Sequence, residues 1–231
     1  PTDRECRESY RLWREVGAEK YEASNLPVIM GIKDPETLER MSDIKEVARE
    51  EAKRLYHSKL SPWFRDSEAV DRIIFVDRNA SDSADGKTVR GATPTQKEFI
   101  ADKSLPRVAH VFRDPDTGKM HQGQELHRVV VHEICHLNLH RGKSDSEERD
   151  FRRIFQDKHK DEWFAACRAQ TEGRDAPGAT PNSGYTTTTN DPDEVRFLTS
   201  DFISDHVACW DADVGLEICP EMRSFFDRYL S

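Results

Sequence analysis

Apolar residues in this chain gather into a few patterned runs separated by long polar stretches, and the period of each run predicts an element. In KDPETLERMSDIKEVAREEAKRLYHSKL, Leu38, Met41, Ile44, Ala48 and Leu55 return near one stripe at helical spacing. Asp34 suits the N-cap, Pro35 the first helical position and acidic residues the first turn, so a long amphipathic helix is expected to end before Ser61-Pro62. DRIIFVDR (71–78) reads as a buried strand, followed by turn formers in NASDSADGKT. RVAHVFRD (107–114) reads as a second strand leading into the turn DPDTGK. QGQELHRVVVHEICHLNLHRG has the length and period of a helix ended by Gly142. SDSEERDFRRIFQDKHKDEWFAACRAQ sets Phe151, Ile154, Phe155, Trp163, Phe164 and Cys167 at helical spacing, with Ser144 or Ser146 as caps. Residues 171–190 read as a long loop with little to bury. A last helix is expected to start at Asn190 or Asp191, with Pro192 in its first turn, and to run on through EVRFLTSDFISDHVACW. Tyr10, Leu12, Trp13, Val16 and Tyr21 suggest a short N-terminal helix lying on the body.

Composition narrows the partners. With 35 Lys+Arg against 44 Asp+Glu the formal charge is -9, which repels a phosphate backbone, so no nucleic acid is expected. No run approaches the roughly eighteen apolar residues of a membrane span, and PTDRECRESYRLW is charged where a signal peptide is apolar, which predicts a soluble domain. The chain begins at Pro1, as a processed or excised piece of a secreted or delivered protein would. Its cysteines, Cys6, Cys135, Cys167, Cys209 and Cys219, form no C-x-x-C pair and read as buried thiols, a Cys209–Cys219 disulfide being the alternative.

The chemistry concentrates in HRVVVHEICHLNLHRG (127–142), where imidazoles and a carboxylate lie among apolar residues. Val129, Val130, Val131, Ile134, Leu137 and Leu139 require burial of this helix, and buried polar groups need partners. His132 and His136, at i and i+4, face the same way about 6 Å apart along the axis and can converge on one zinc. Glu133 lies beside them, placed to take a proton from a water that Zn2+ acidifies rather than to bind the ion. His140 lies about 12 Å from His132 along a continuous helix, too far to share the metal. His127 points elsewhere on the helix and reads as a packing or solvent residue, and Cys135 as a space filler.

This H-E-x-x-H stretch resembles the zincin superfamily of metallopeptidases, in which such a helix lies beside a small sheet. The resemblance implies an α+β, zincin-like fold over a single domain, 1–231. Its parts are an N-terminal helical part (1–62), strands and active-site helix (63–142), and a C-terminal helical part with the third-ligand helix (143–231). It implies a zinc-dependent endopeptidase acting on a protein or peptide substrate, in keeping with a bacterial effector or toxin domain.

The third ligand must come from elsewhere in the chain. The metzincin pattern fails, because Leu139 and Gly142 stand where its glycine and third histidine belong. On a continuous last helix Glu194, Asp201 and Asp205 fall within about 40° of one another beside Val195, Leu198 and Phe202. GYTTTTNDPDEVRF resembles the segment of anthrax-lethal-factor-like peptidases in which a tyrosine precedes the helix of the ligand glutamate. That resemblance implies Glu194 as zinc ligand and Tyr185 as hydrogen-bond donor to a developing oxyanion. Asp201 with Asp205, an acid pair suited to a ligand and its support, is the competing choice. HEICHLNLH also resembles the helix of ImmA-type repressor-cleaving peptidases, and His159 could serve as third ligand in the manner of SprT-like proteases. A noncatalytic, zinc-stabilised interaction domain is the reading from another class. His206 reads as a supporting or surface residue.

Overall fold

The computed structural model describes residues 18–21, 28–32, 41–66, 70, 72–79, 81–82, 88–105, 107–114, 116–140, 150–172 and 192–231. Strands β1 (Ala18–Tyr21), β2 (Val28–Ile32), β3 (Arg72–Asn79), β6 (Gly91–Ala92) and β7 (Val108–Arg113) build one sheet in the order β1-β2-β3-β7-β6. β2, β3 and β7 run parallel, while β1 on β2 and β6 on β7 are antiparallel edges. A two-stranded ribbon, β4 (Ser81–Asp82) with β5 (Thr88–Val89), lies within the segment read as a turn. Every residue of β7 is buried, as expected of a parallel strand covered on both faces.

Helices α1 (Met41–His57), α2 (Ser61–Asp66), α3 (Gln96–Ala101) and α4 (Gly123–His140) occupy the part of the chain before residue 141. α4 packs on β7 and β6, so the H-E-x-x-H helix lies against the sheet as the α+β, zincin-like reading requires. Its burial follows from its sequence: Leu126, Val130, Val131, Leu137 and Leu139 are fully buried. After it come a π-helical stretch (Arg153–Lys158) and helices α5 (Lys160–Thr171), α6 (Pro192–Phe197), α7 (Ser200–Ala212) and α8 (Pro220–Tyr229). Trp163, fully buried, contacts the rings of Phe155, Phe202, Phe225 and Phe226, and its indole N–H donates to Phe197 O at 2.9 Å. That bond satisfies the indole and fastens the end of α6 to α5.

Three elements depart from expectation. Tyr21, assigned to an N-terminal helix, lies in β1; Tyr10, Leu12, Trp13 and Val16 lie outside the described residues. The 144–170 helix is interrupted at His159, where the backbone leaves helical geometry (φ -126, ψ 25). The last helix is two helices, because Thr199 adopts extended backbone (φ -65, ψ 142) and caps α7 by accepting from Phe202 N. The break invalidates the projection that aligned Glu194 with Asp201 and Asp205. The described cysteines, Cys135, Cys167, Cys209 and Cys219, are buried free thiols.

Candidate metal centre

α4 and α7 form the most extensive helix pairing among the described elements. They run antiparallel: His136 meets Asp201, His132 meets Asp205, and His127 meets Asp211. Between the first two pairs a step of four on one helix answers a step of four on the other, so adjacent turns each offer an imidazole to a carboxylate.

At one end of that seam three donors converge. His136 Nε2 lies 2.8 Å from His132 Nε2 and 2.9 Å from Asp201 Oδ1, and His132 Nε2 lies 3.9 Å from the same oxygen. Two bonds of about 2.0–2.1 Å at a tetrahedral angle place their donors roughly 3.3 Å apart, close to the mean of these separations. His132, His136 and Asp201 are the group of metal-capable side chains found among the described residues.

The outer nitrogens explain why the inner ones converge. His132 Nδ1 donates to Asp205 Oδ1 at 2.9 Å, and His136 Nδ1 donates to Ser200 Oγ. With each Nδ1 so engaged, the Nε2 lone pairs and the Asp201 oxygen point at one place, an arrangement that repels itself unless a cation stands there. Burial alone would lower the pKa of His132, but Asp205, with help from Glu133 and Asp201, outweighs it and pushes the group up to about 9. Burial works against the charge of Asp201 and Asp205 as well. The hydrogen bond and charge of His136 hold Asp201 far below the usual carboxylate range, and the charge of His132 lowers Asp205. The donor set of two imidazoles and a carboxylate, each imidazole supported from behind, fits zinc.

Glu133 follows His132 on the helix and is buried, with Oε2 lacking any hydrogen-bond partner. An orphaned carboxylate oxygen beside a metal donor set is poised for a water or a substrate N–H. Its place depends on the edge strand: a Cβ at Gly91 would come within 2.5 Å of Glu133 Oε1 and 2.6 Å of its Cγ. Only glycine lets β6 approach this closely.

The remaining predicted residues take varied places. Glu194 lies on α6, across the Thr199 break from the donor set, with its side chain outside the described residues; Tyr185 also lies outside them. His140 is buried 5.0 Å from the His136 ring, its Nδ1 donating to Pro94 O. Burial and the neighbouring His136 charge press it down to about 3, so it stays neutral. His159 stacks on Tyr229 near Glu162, outside the donor set. His206 is buried on Phe202 and bonded to its carbonyl oxygen. Cys135 fills the core behind the metal face, where burial raises its thiol. His127, read as packing or solvent, is the buried centre of an ion cluster. Ser200 escaped sequence reasoning because a serine beside an aspartate carries no signal until the helices are paired. The four-residue spacing shared by His132/His136 and Asp201/Asp205 was a usable clue.

Comparison with protein families, curated proteins and solved structures finds no match.

Proposed function

We propose that this chain is a zinc-dependent endopeptidase that hydrolyses peptide bonds of a protein substrate. His132, His136 and Asp201 hold the ion, and the observation that carries the reading is their convergence with both outer imidazole nitrogens already engaged. Bound there, zinc supplies positive charge that polarises a carbonyl and acidifies a neighbouring water. Glu133, through its unpartnered Oε2, accepts the proton of the attacking water and returns it to the departing amide nitrogen. Asp205 and Ser200 keep the two imidazoles in the tautomer that presents Nε2. Gly91 leaves room for the Glu133 side chain. Tyr185 enters as oxyanion donor only by the sequence resemblance that implied it, and in that role Tyr185→Phe should cost on the order of 10²-fold in kcat.

The test has two steps. Elemental analysis of the purified chain should find zinc, retained in Glu133→Gln. Incubating each form with a complex proteome and sequencing new termini should then show cleavage by the parent chain alone. Cleavage that survives Glu133→Gln removes the general base, and a folded chain that never takes up zinc removes the metal reading. Zinc uptake with no cleavage by either form supports a zinc-stabilised interaction domain instead.

A further inference from the structure

The other end of the α4–α7 seam carries a second charged cluster. His127 Nδ1 lies 2.7 Å from Glu51 Oε1 and its Nε2 2.8 Å from Asp211 Oδ2; both carboxylates are fully buried and the imidazole is 4% exposed. Three helices meet here, Glu51 coming from α1, His127 from α4 and Asp211 from α7. Asp211 also accepts from Ser58 Oγ at 2.8 Å and from Lys59 N at 3.1 Å, and Arg54 donates to Glu51 Oε2 at 3.1 Å. The cluster is thus complete in itself, five residues along the helix from the nearest metal donor.

Cohesion alone does not call for such a cluster, because apolar side chains of similar volume hold helices together without the desolvation cost of buried ions. The best-attested use of a buried polar group between helices is to select one register among near-equivalents. This seam has a near-equivalent. Its basic positions on α4, Arg128, His132 and His136, recur every four residues, as do Asp201 and Asp205 on α7. A slide of α7 by one turn, about 5.4 Å, would set Asp201 against His132 and Asp205 against Arg128. Opposite charges would still meet, but His136 would lose its carboxylate and the donor set would be broken. The same slide would carry Asp211 away from His127 and from Ser58 and Lys59, and leave Val207 opposite the imidazole.

From this geometry we infer that the Glu51–His127–Asp211 cluster locks the register of α7 on α4, and that His127 is a positioning residue for the metal site. The inference rests on the reading of His132, His136 and Asp201 as zinc donors. His127 lies outside the donor set; it holds Asp201 level with His136.

The experiment measures zinc affinity of the full chain by competition with a chromophoric chelator, with circular dichroism to establish folding. The variants are the volume-conserving triple E51Q/H127Q/D211N and the single Asp211→Asn. Trp63→Phe, which removes the bond from Trp63 Nε1 to Leu230 O away from this seam, is the control for general destabilisation. The folded triple variant should bind zinc at least tenfold more weakly, Asp211→Asn severalfold more weakly, and Trp63→Phe as tightly as the parent. Folded cluster variants with parental zinc affinity would overturn the inference while leaving the metal reading intact. A parent chain that binds no zinc would instead bring down the metal reading. Failure of both cluster variants to fold would also count against register control, since the cluster would then serve folding as a whole.

Discussion

Asp201 and Glu194 are both acids on C-terminal helices, yet only Asp201 has its carboxylate oxygen among the described donors. Asp201→Ala should therefore abolish tight zinc binding, as read by metal content after dialysis, with Glu194→Ala measured beside it as the test of the ligand that the sequence resemblance implied. The supporting side chains should show smaller losses. Asp205→Ala removes the acceptor that orients His132 Nδ1–H, and a loss of about 10–100-fold in zinc affinity is expected. Gly91→Ala differs from both, because the added methyl meets the flexible end of Glu133 rather than backbone. It should keep zinc and folding but lower kcat, with KM little changed, and the double variant with Glu133→Asp should recover part of the loss. These contacts were unevenly legible. His132, Glu133 and His136 are tied by a spacing that any helix converts into proximity. Asp201, Ser200 and Gly91 reach them from distant parts of the chain.

Helix α7 owes its start to Thr199, whose side-chain oxygen accepts from Phe202 N. Thr199→Ala should cost about 1 kcal/mol, a fall of roughly 2–4 °C in Tm for a chain of this size. The pairing of α7 with α4 should also be sensitive to pH through His127. Burial alone would depress its pKa, but the hydrogen bonds and charges of Asp211 on α7 and Glu51 on α1 outweigh it, beside Arg54, and push it up to about 9. A folded-state pKa raised above the unfolded value of about 6.5 stabilises fully below about 6.5 and is lost as pH rises through about 9. The parent should lose on the order of 3 kcal/mol across that window beyond any loss in His127→Gln, measured by denaturant unfolding at each pH. Sequence patterning located α1, β3, β7 and α4, whose apolar period is intact. It ran α6 and α7 together because Leu198 and Phe202 keep the helical stripe across a break that Thr199 imposes through its own hydrogen bonds.

For the molecule as a whole, zinc that binds only the folded state should raise stability by mass action, by about 2.7 kcal/mol at a hundredfold excess over Kd. Thermal melts with and without a chelator should show that gain, and Asp201→Ala should not. Among the described residues no helix is long and apolar enough to cross a membrane. The formal charge of -9 resides in a chain whose acids also furnish the seam: Glu51, Asp201, Asp205 and Asp211 all face imidazoles. The juxtaposition of His132 and His136 was readable from residues alone because backbone geometry within one helix is local, and a four-residue step always brings two side chains together. Burial of that helix was equally readable from its valines and leucines. The carboxylate that completes the site, the groups that set each imidazole tautomer and the work of His127 depend on how two antiparallel helices align across 64 to 84 residues of intervening chain. That alignment comes from packing and from a buried ion cluster, neither of which leaves a periodic trace in the sequence.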